Sequence, residues 1–498
     1  MKTKIITAGA VAIGIIAGCA GLPKMTTSEN IVWLEQGWSN NDRKEFHHTS
    51  QGSMTLPLPY EWFTALEQPG LSLFGEKGLI IENGYLSRLG FISGEITPYN
   101  QAGLPVGFSV DYDVSNPAIS KTPFNAIGLT CAACHTGQMN ITKGTNENKV
   151  VTSVRYDGGP AMTDIESLTK VLGLSLIETY LSESRFDRFS QRILGVTNTE
   201  KNSAKLKAEL KHTLKNLAKN LVGPAAVKSK GTDLKDLKSS KETEFSEAIG
   251  DIKEIIYDKA KQKTTKAGFT RLDALNSIGN TVFGSDTDNL NNIATKQAPV
   301  NFPHIWNTSW FLWVQYDASI MAPMIRNAGE AMGVGAYVNM HASSPDTFDS
   351  SAKLDNLYWM EEMLAGNEQP THKTGFGGLQ HPEWEESIFG KIDEEKHAKG
   401  AKLYAENCQR CHLPPVDNEK FWSEKYWTKP NEAGLSLLNL PIVDLKYLGT
   451  DPQQALVLQK RTVDTRGIGF DTPIWYEETD AVFKNGPIYF GGSDINVS

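Results

Sequence analysis

The cysteines and histidines of this chain fall into one arrangement twice: Cys131-Ala132-Ala133-Cys134-His135 and Cys408-Gln409-Arg410-Cys411-His412. Each is a Cys-x-x-Cys-His. Two thiols with two residues between them can reach the two vinyl groups of one porphyrin and add across them as thioethers. The histidine that follows then lies under the iron as its proximal ligand. The spacing points to two covalent c-type haems, attached through Cys131, Cys134, Cys408 and Cys411, with His135 and His412 as proximal iron ligands. A zinc site or a redox dithiol is the rival reading of the same residues. At this content of Cys and His, chance produces one such pentapeptide at odds on the order of 10⁻³, so two by chance are negligible. The cysteine account also closes: of 5 Cys, four sit in the motifs and the fifth is Cys19. None is left for a structural disulfide or a thiol nucleophile.

Cys19 has its own explanation. Lys2 and Lys4 precede an apolar run from Ile5 to Ala17, which has leader length and is too short to span a bilayer stably. The run ends in Ile16-Ala17-Gly18-Cys19, which resembles the lipobox of bacterial lipoproteins. Residues 1–18 then read as a signal peptide and Cys19 as a lipidated N-terminus; an ordinary secretory leader with an incidental Cys is the alternative. Both export the chain, and c-type attachment in bacteria takes place outside the inner membrane. Ala20, not Asp, follows the Cys, which favours a periplasm-facing outer-membrane anchor. The formal net charge of −9 argues against nucleic acid and is compatible with a basic redox partner.

The elements that must position these groups read as mostly α: two cytochrome c-like haem domains with extensive loops and a helical insertion. Residues 19–130 carry many Gly, Pro and aromatic residues and read as an N-terminal wrapping segment of loops, turns and short helices. Residues 131–382 form the first haem domain. Within it, Asp164 to Leu181 reads as a helix, with Ile165, Leu168, Leu172 and Ile177 near one face. A Lys- and Glu-rich insertion at about 198–266 carries Leu206, Leu210, Leu214, Leu217 and Leu221 at helical spacing, ended by Gly223-Pro224 and expected to pack as a solvated surface insertion. Trp306, Trp310 and Trp313 fall at i, i+4, i+7 and predict one helical face, by core packing ahead of an electron relay. Met321, Met324, Met332 and Met340 read as packing around a flat apolar cofactor. Residues 383–498 form the second domain, with a helix from Ile392 to Asn407 in which Gly400 would admit another helix.

Scattered stretches resemble the dihaem cytochrome c peroxidase superfamily, closest in style to its dihaem rubber oxygenase branch. They are Gln36-Gly37-Trp38-Ser39 with Arg43, His48-Thr49-Ser50-Gln51-Gly52-Ser53, Pro59-Tyr60-Glu61-Trp62-Phe63 with Leu66-Glu67, Arg88-Leu89-Gly90-Phe91 and Leu104-Pro105-Val106-Gly107-Phe108. Further on come Trp306, Val314-Gln315-Tyr316, Pro323, Arg326-Asn327-Ala328-Gly329-Glu330 and Gly449-Thr450-Asp451-Pro452. The resemblance implies a first haem with an open, oxygen-binding face and a low-spin second haem. It implies Trp310, Phe311, Trp313 and Gln315 as distal-pocket candidates. Arg326 and Glu330, at i, i+4, read as a plain ion pair. The family's later Tyr-Leu-His-Asn-Gly-like segment, whose His caps the second haem, has no counterpart, since no His or Met follows His412. Either the second domain is incomplete at Ser498, or its sixth ligand comes from upstream, or that haem is five-coordinate. His372 and His381 are the nearest upstream candidates, with His304 and His341 behind them. His47 and His48 could serve the first haem or cap turns in the wrapping.

Two function classes follow. One is an oxidoreductase of dihaem peroxidase or oxygenase type, taking peroxide, dioxygen or an unsaturated organic substrate at the first haem, with electrons from a partner protein or a small donor. The other is a non-catalytic periplasmic electron carrier with both haems six-coordinate. A haem sensor would need an output module, and none is visible. The residues neither require nor exclude a calcium ion.

Overall fold

The computed structural model describes residues 28–70, 78–116, 119–145, 149–221, 265–287, 289, 292–321, 323–341, 344–457, 461 and 463. The leader, Cys19 and Gly223-Pro224 lie outside the described residues. Six strands build the N-terminal half: β1 (Asn30–Trp33), β2 (Leu56–Pro59), β3 (Phe108–Val114), β4 (Phe124–Leu129), β5 (Thr136–Lys143) and β6 (Val150–Asp157). They make two three-stranded sheets, β1-β6-β5 and β2-β4-β3. β1 runs parallel to β6 and the other pairs are antiparallel.

This overturns the mostly α expectation. The chain is 39% helical and 16% strand over several small sheets, an α/β mix. The physical reason is local. Val150-Val151-Thr152-Ser153-Val154-Arg155-Tyr156 is rich in β-branched and aromatic side chains that fit a pleated surface. β3 and β4 likewise turn one set of side chains inward, among them Phe108, Ile127 and Leu129. What reads as loop wrapping therefore includes paired sheet.

The longer helices are α1 (Asn40–His48), α2 (Tyr60–Ala65), α3 (Ala132–His135), α4 (Ile165–Leu181), α5 (Glu183–Leu194), α6 (Glu200–Leu221), α7 (Pro323–Gly333), α8 (Leu354–Ala365) and α9 (Glu394–Asn407), with the single turn α3 kept for its position. α1 starts at a capping box, in which Ser39 and Asp42 satisfy each other's backbone N–H. α4 starts where Asp164 accepts from the Ser167 N–H, and its predicted apolar face is real: Ile165, Leu168 and Leu172 are buried and Ile177 half-buried. Phe63, Phe91, Phe108, Leu176 and Phe189 share that core, each buried side chain contributing roughly 1.5–3 kcal/mol.

Leu206, Leu210 and Leu214 of α6 are buried in the same cluster, so the leucine stripe packs on the core while charged residues such as Lys205 and Glu209 stay exposed. The tryptophan stripe is corrected as well. Asn307 and Gln315 adopt positive φ, and the chain between them is a short 3₁₀ turn over Thr308–Trp310 followed by an extended Trp313–Val314. Trp306, Trp310 and Trp313 thus share no helical face. At Gly400 in α9, nothing stands within 4 Å of where a Cβ would be, so no helix packs there among the described residues.

The chain from Glu383 onward differs from the rest. α9 has no buried residue, and Ile392, Leu403, Val416, Leu435, Ile442 and Leu448 are exposed. The segment docks through Leu438, whose N–H donates to the Trp310 carbonyl at 2.6 Å and whose carbonyl accepts from the Leu312 N–H at 2.9 Å. Phe376, Phe421, Trp422 and Trp427 stack beside that seam.

Candidate functional site

The first Cys-x-x-Cys-His is the single turn α3, set where the chain leaves β4 of one sheet and enters β5 of the other. The Cys131 carbonyl accepts from the Cys134 N–H at 3.2 Å and from the His135 N–H at 3.0 Å. Both thiols are free and stand one turn apart. Gly107 makes the turn possible: a Cβ there would lie 2.3 Å from the Ala133 backbone. The Gly107 N–H and the Thr130 hydroxyl both donate to the His47 carbonyl at the end of α1.

His135 is held in one orientation. Its Nδ1 lies 2.9 Å from the Pro303 carbonyl, which fixes the proton on Nδ1 and leaves Nε2 as the lone-pair nitrogen. Burial lowers its pKa to about 4, against the raising effect of the Pro303 carbonyl, so the ring is neutral at pH 7. Pro303 is itself pinned. The Phe302 N–H donates to Thr270, the Ile305 N–H to the Gly158 carbonyl at 2.7 Å, and the Trp306 indole N–H to the Asp157 carbonyl at 2.8 Å. Gly158, at φ +74, has the Trp306 indole nitrogen 2.4 Å from any added Cβ, so only glycine fits.

Behind this wall, Asp157 is buried. It accepts from Thr136 at 2.9 Å and bonds His47 Nε2 at 2.7 Å, while His48 Nδ1 bonds the Phe108 carbonyl at 2.9 Å. The two α1 histidines are thus spent on the scaffold.

On the thiol side lie α7 and α8. The Cys131 Sγ is 3.3 Å from Gln51 Oε1 and 4.0 Å from Met360 Sδ. Arg326 does not pair with Glu330. Its Nη2 donates to Glu361 Oε2 at 2.6 Å and its Nη1 to the Thr308 carbonyl at 3.0 Å, while Asn327 donates to the same Glu361 oxygen at 2.8 Å. Glu330 instead accepts from the Gln315 amide. Burial holds Glu330 above the usual carboxylate range, against that hydrogen bond and the Arg326 charge. Burial pushes the Cys131 thiol up to about 12, and Glu330 raises it further; Cys134 moves the same way for the same reasons. A dithiol catalyst needs lowered thiol pKa values, so these thiols do not fit one.

The amino-acid sequence is 42% identical, over 461 residues, to the uncharacterized protein y4iJ of Sinorhizobium fredii (strain NBRC 101917 / NGR234), covering 91% of this chain and 69% of that protein. The chain belongs to the y4iJ family. No family model matches it, and no solved structure matches it.

In this y4iJ-family chain the second motif repeats the first turn. The Cys408 carbonyl accepts from the Cys411 N–H at 3.0 Å and from the His412 N–H at 2.9 Å, and the Tyr404 hydroxyl ties the turn down by donating to the Leu413 carbonyl at 2.5 Å. Cys408 and His412 are exposed. His372 approaches this segment, with Nε2 3.4 Å from the Asp417 carbonyl and its ring against Trp422. His381 is exposed and touches only its neighbour Pro382 in the described structure. Among the described residues no three His, Cys, Asp or Glu side chains converge as a metal set, which leaves each motif a two-thiol, one-imidazole unit.

The distal-pocket candidates separate. Gln315 reaches the motif's surroundings through Glu330. Trp310 is buried with its indole N–H on the Ala365 carbonyl at 3.2 Å, Phe311 bridges to Leu438, and Trp313 pairs with Met321. Glu361, Met360 and Pro303 escape a reading of motifs. Glu361 had a signal all the same: it falls among Leu357, Met360 and Leu364 on the buried face of α8, where an acid needs a partner.

Proposed function

We propose that this protein is an exported dihaem c-type cytochrome of the dihaem cytochrome c peroxidase kind, an oxidoreductase acting on peroxide or dioxygen at the first haem. The observation that carries it is the geometry of the two motifs: each is the same closed turn, and His135 has Nδ1 tied and Nε2 free. The donor sets fit haem, two unbridged thiols and one imidazole each. The exposed apolar side chains after Glu383 suit packing against a large flat apolar group.

Cys131 and Cys134, and Cys408 and Cys411, would hold the two haems, with His135 and His412 beneath them. When bound, haem supplies one-electron chemistry and a site for peroxide or dioxygen. The chain does the rest. Burial raises the Glu330 pKa and so favours the protonated carboxyl, and the Gln315 amide fixes one of its oxygens. Such a carboxyl can give a proton to a departing oxygen and take one back. Arg326, clamped by Glu361 and the Thr308 carbonyl, holds α7 and α8 together so that Glu330 keeps its place. Electrons arrive from a redox protein or a small donor. Cys19 would anchor the exported chain to a membrane by lipid, the outer membrane being favoured.

The test is haem content with optical and low-temperature EPR spectra, with and without cyanide, carbon monoxide and peroxide. Two covalent haems, one of them open to added ligand, are expected. Absence of covalent haem overturns the reading. Two low-spin haems that ignore all three ligands, even when half-reduced, leave an electron carrier in place of an enzyme.

A further inference from the structure

A cavity of about 230 Å³ lies beside β1 and β6 and includes no residue of either motif. Its lining is cationic: Arg43, Lys44 and Arg155, against Glu95 alone. Arg155 is buried, 3% exposed, and Arg43 is half-buried. Among the described residues the one hydrogen bond of the Arg155 side chain runs from Nε to Gln138 Oε1 at 2.8 Å. Its two terminal nitrogens have no hydrogen-bond partner among the described residues, and neither is a fully buried unpartnered atom. The Arg43 guanidinium lies 4.5 Å from the Trp33 ring centre and Arg155 lies 5.6 Å from the same ring. One indole therefore carries two like charges.

The compensation in place is thin. Asp157 faces Arg43 at 3.7 Å, longer than a hydrogen bond, and is shared with His47 and Thr136. Glu95 is largely exposed and pairs loosely with Lys44 at 3.8 Å. Guanidinium donors that keep access to a cavity are placed to take an anion from it. Thr97 adds an independent sign. It lines the same cavity, its hydroxyl is buried, and among the described residues that hydroxyl has no hydrogen-bond partner. Planar guanidinium donors beside a hydroxyl are the groups that receive oxyanions.

We propose that this cavity is a binding site for a small oxyanion, a phosphate or a carboxylate, held by the terminal nitrogens of Arg155, by Arg43 and by the Thr97 hydroxyl, with Trp33 as the apolar floor. The volume is that of about seven waters, so the ligand is a compact molecule and not a nucleotide or a polymer. The site stands apart from the haem reading and does not depend on it.

The test is calorimetric titration of the purified full-length protein with inorganic phosphate and, separately, with succinate, at constant ionic strength set by chloride. Saturable binding of at least one is expected, and the stronger of the two names the anion class. Arg155→Gln should weaken it by about 10-fold or more, and Thr97→Val by about 5-fold. The Thr97 variant keeps the test decisive if the Arg155 variant does not fold. No saturable binding of either anion to the wild-type protein overturns the proposal. So does binding that survives unchanged in every variant that folds.

Discussion

At Glu330 a carboxyl whose pKa is raised by burial is aimed by Gln315, beside two thiols whose pKa values burial also raises. Glu330→Gln preserves size and hydrogen bonding but removes the exchangeable acid. Turnover with peroxide is expected to fall about 100-fold while both haems stay attached, and the variant should lose the alkaline limb of the pH profile that Glu330 ionisation imposes. Unchanged turnover in steady-state assays would remove Glu330 from the chemistry. His135→Ala should abolish peroxidase or oxidase activity and leave haem on Cys408 and Cys411; full activity in that variant would mean that the first site is not the active one. At this scale the motifs were plain in the sequence because the same Cys-x-x-Cys-His spacing occurs twice among few Cys and His. Pro303 and Glu361 were not, because a backbone carbonyl carries no side-chain signature and a buried acid is visible only once its helix has a known inner face.

Elements are held by a few polar clamps. Glu67 is buried and accepts from Arg188 at 2.7 and 2.8 Å and from Arg192 at 2.9 Å. Burial pushes its pKa up, but those hydrogen bonds and charges outweigh burial and leave it below the ordinary value. Its stabilising effect is therefore complete above the unfolded pKa and is lost as pH falls through the folded one. Glu67→Gln should destabilise the seating of α5 on the segment after α2 by about 3 kcal/mol at neutral pH, a cost that shrinks in acid, as urea melts at pH 7 and pH 3.5 can show. Equal losses at both pH values would mean that the charge is not what matters there. The helices α4 and α6 were legible from leucine periodicity. The strands were hidden because Gly, Pro and aromatic residues around them read as loop, and pairing partners such as Trp33 and Arg155 lie far apart in the chain. The tryptophan spacing misled because a positive φ at Asn307 breaks any helix before the stripe can form.

For the molecule as a whole, pH enters through a second buried acid. Burial raises Asp286 to about 7, against the lowering effect of the Val338 N–H at 3.3 Å. The folded state then keeps a proton that the unfolded chain gives up near pH 4. Stability from this source is greatest in acid and declines as pH rises towards 7, by up to about 1.4 kcal/mol per pH unit. Asp286→Asn should flatten that slope in denaturation curves taken from pH 4.5 to 7.5. An unaltered slope would assign it to other groups.

The poverty of buried apolar surface after Glu383 also has a meaning in time. The chain up to α8 owns a large aromatic and aliphatic core and can fold when it is made. The part that carries Cys408 has far less, and it is fastened at separate points: Leu438 on Trp310, Ile388 against Leu34 and Val154, and Ser436 on Gln369. On the proposed haem reading, maturation should run in sequence, an early scaffold and a late closure over the cofactor. Cells unable to attach haem should accumulate a protease-resistant fragment ending near α8, with everything beyond it degraded.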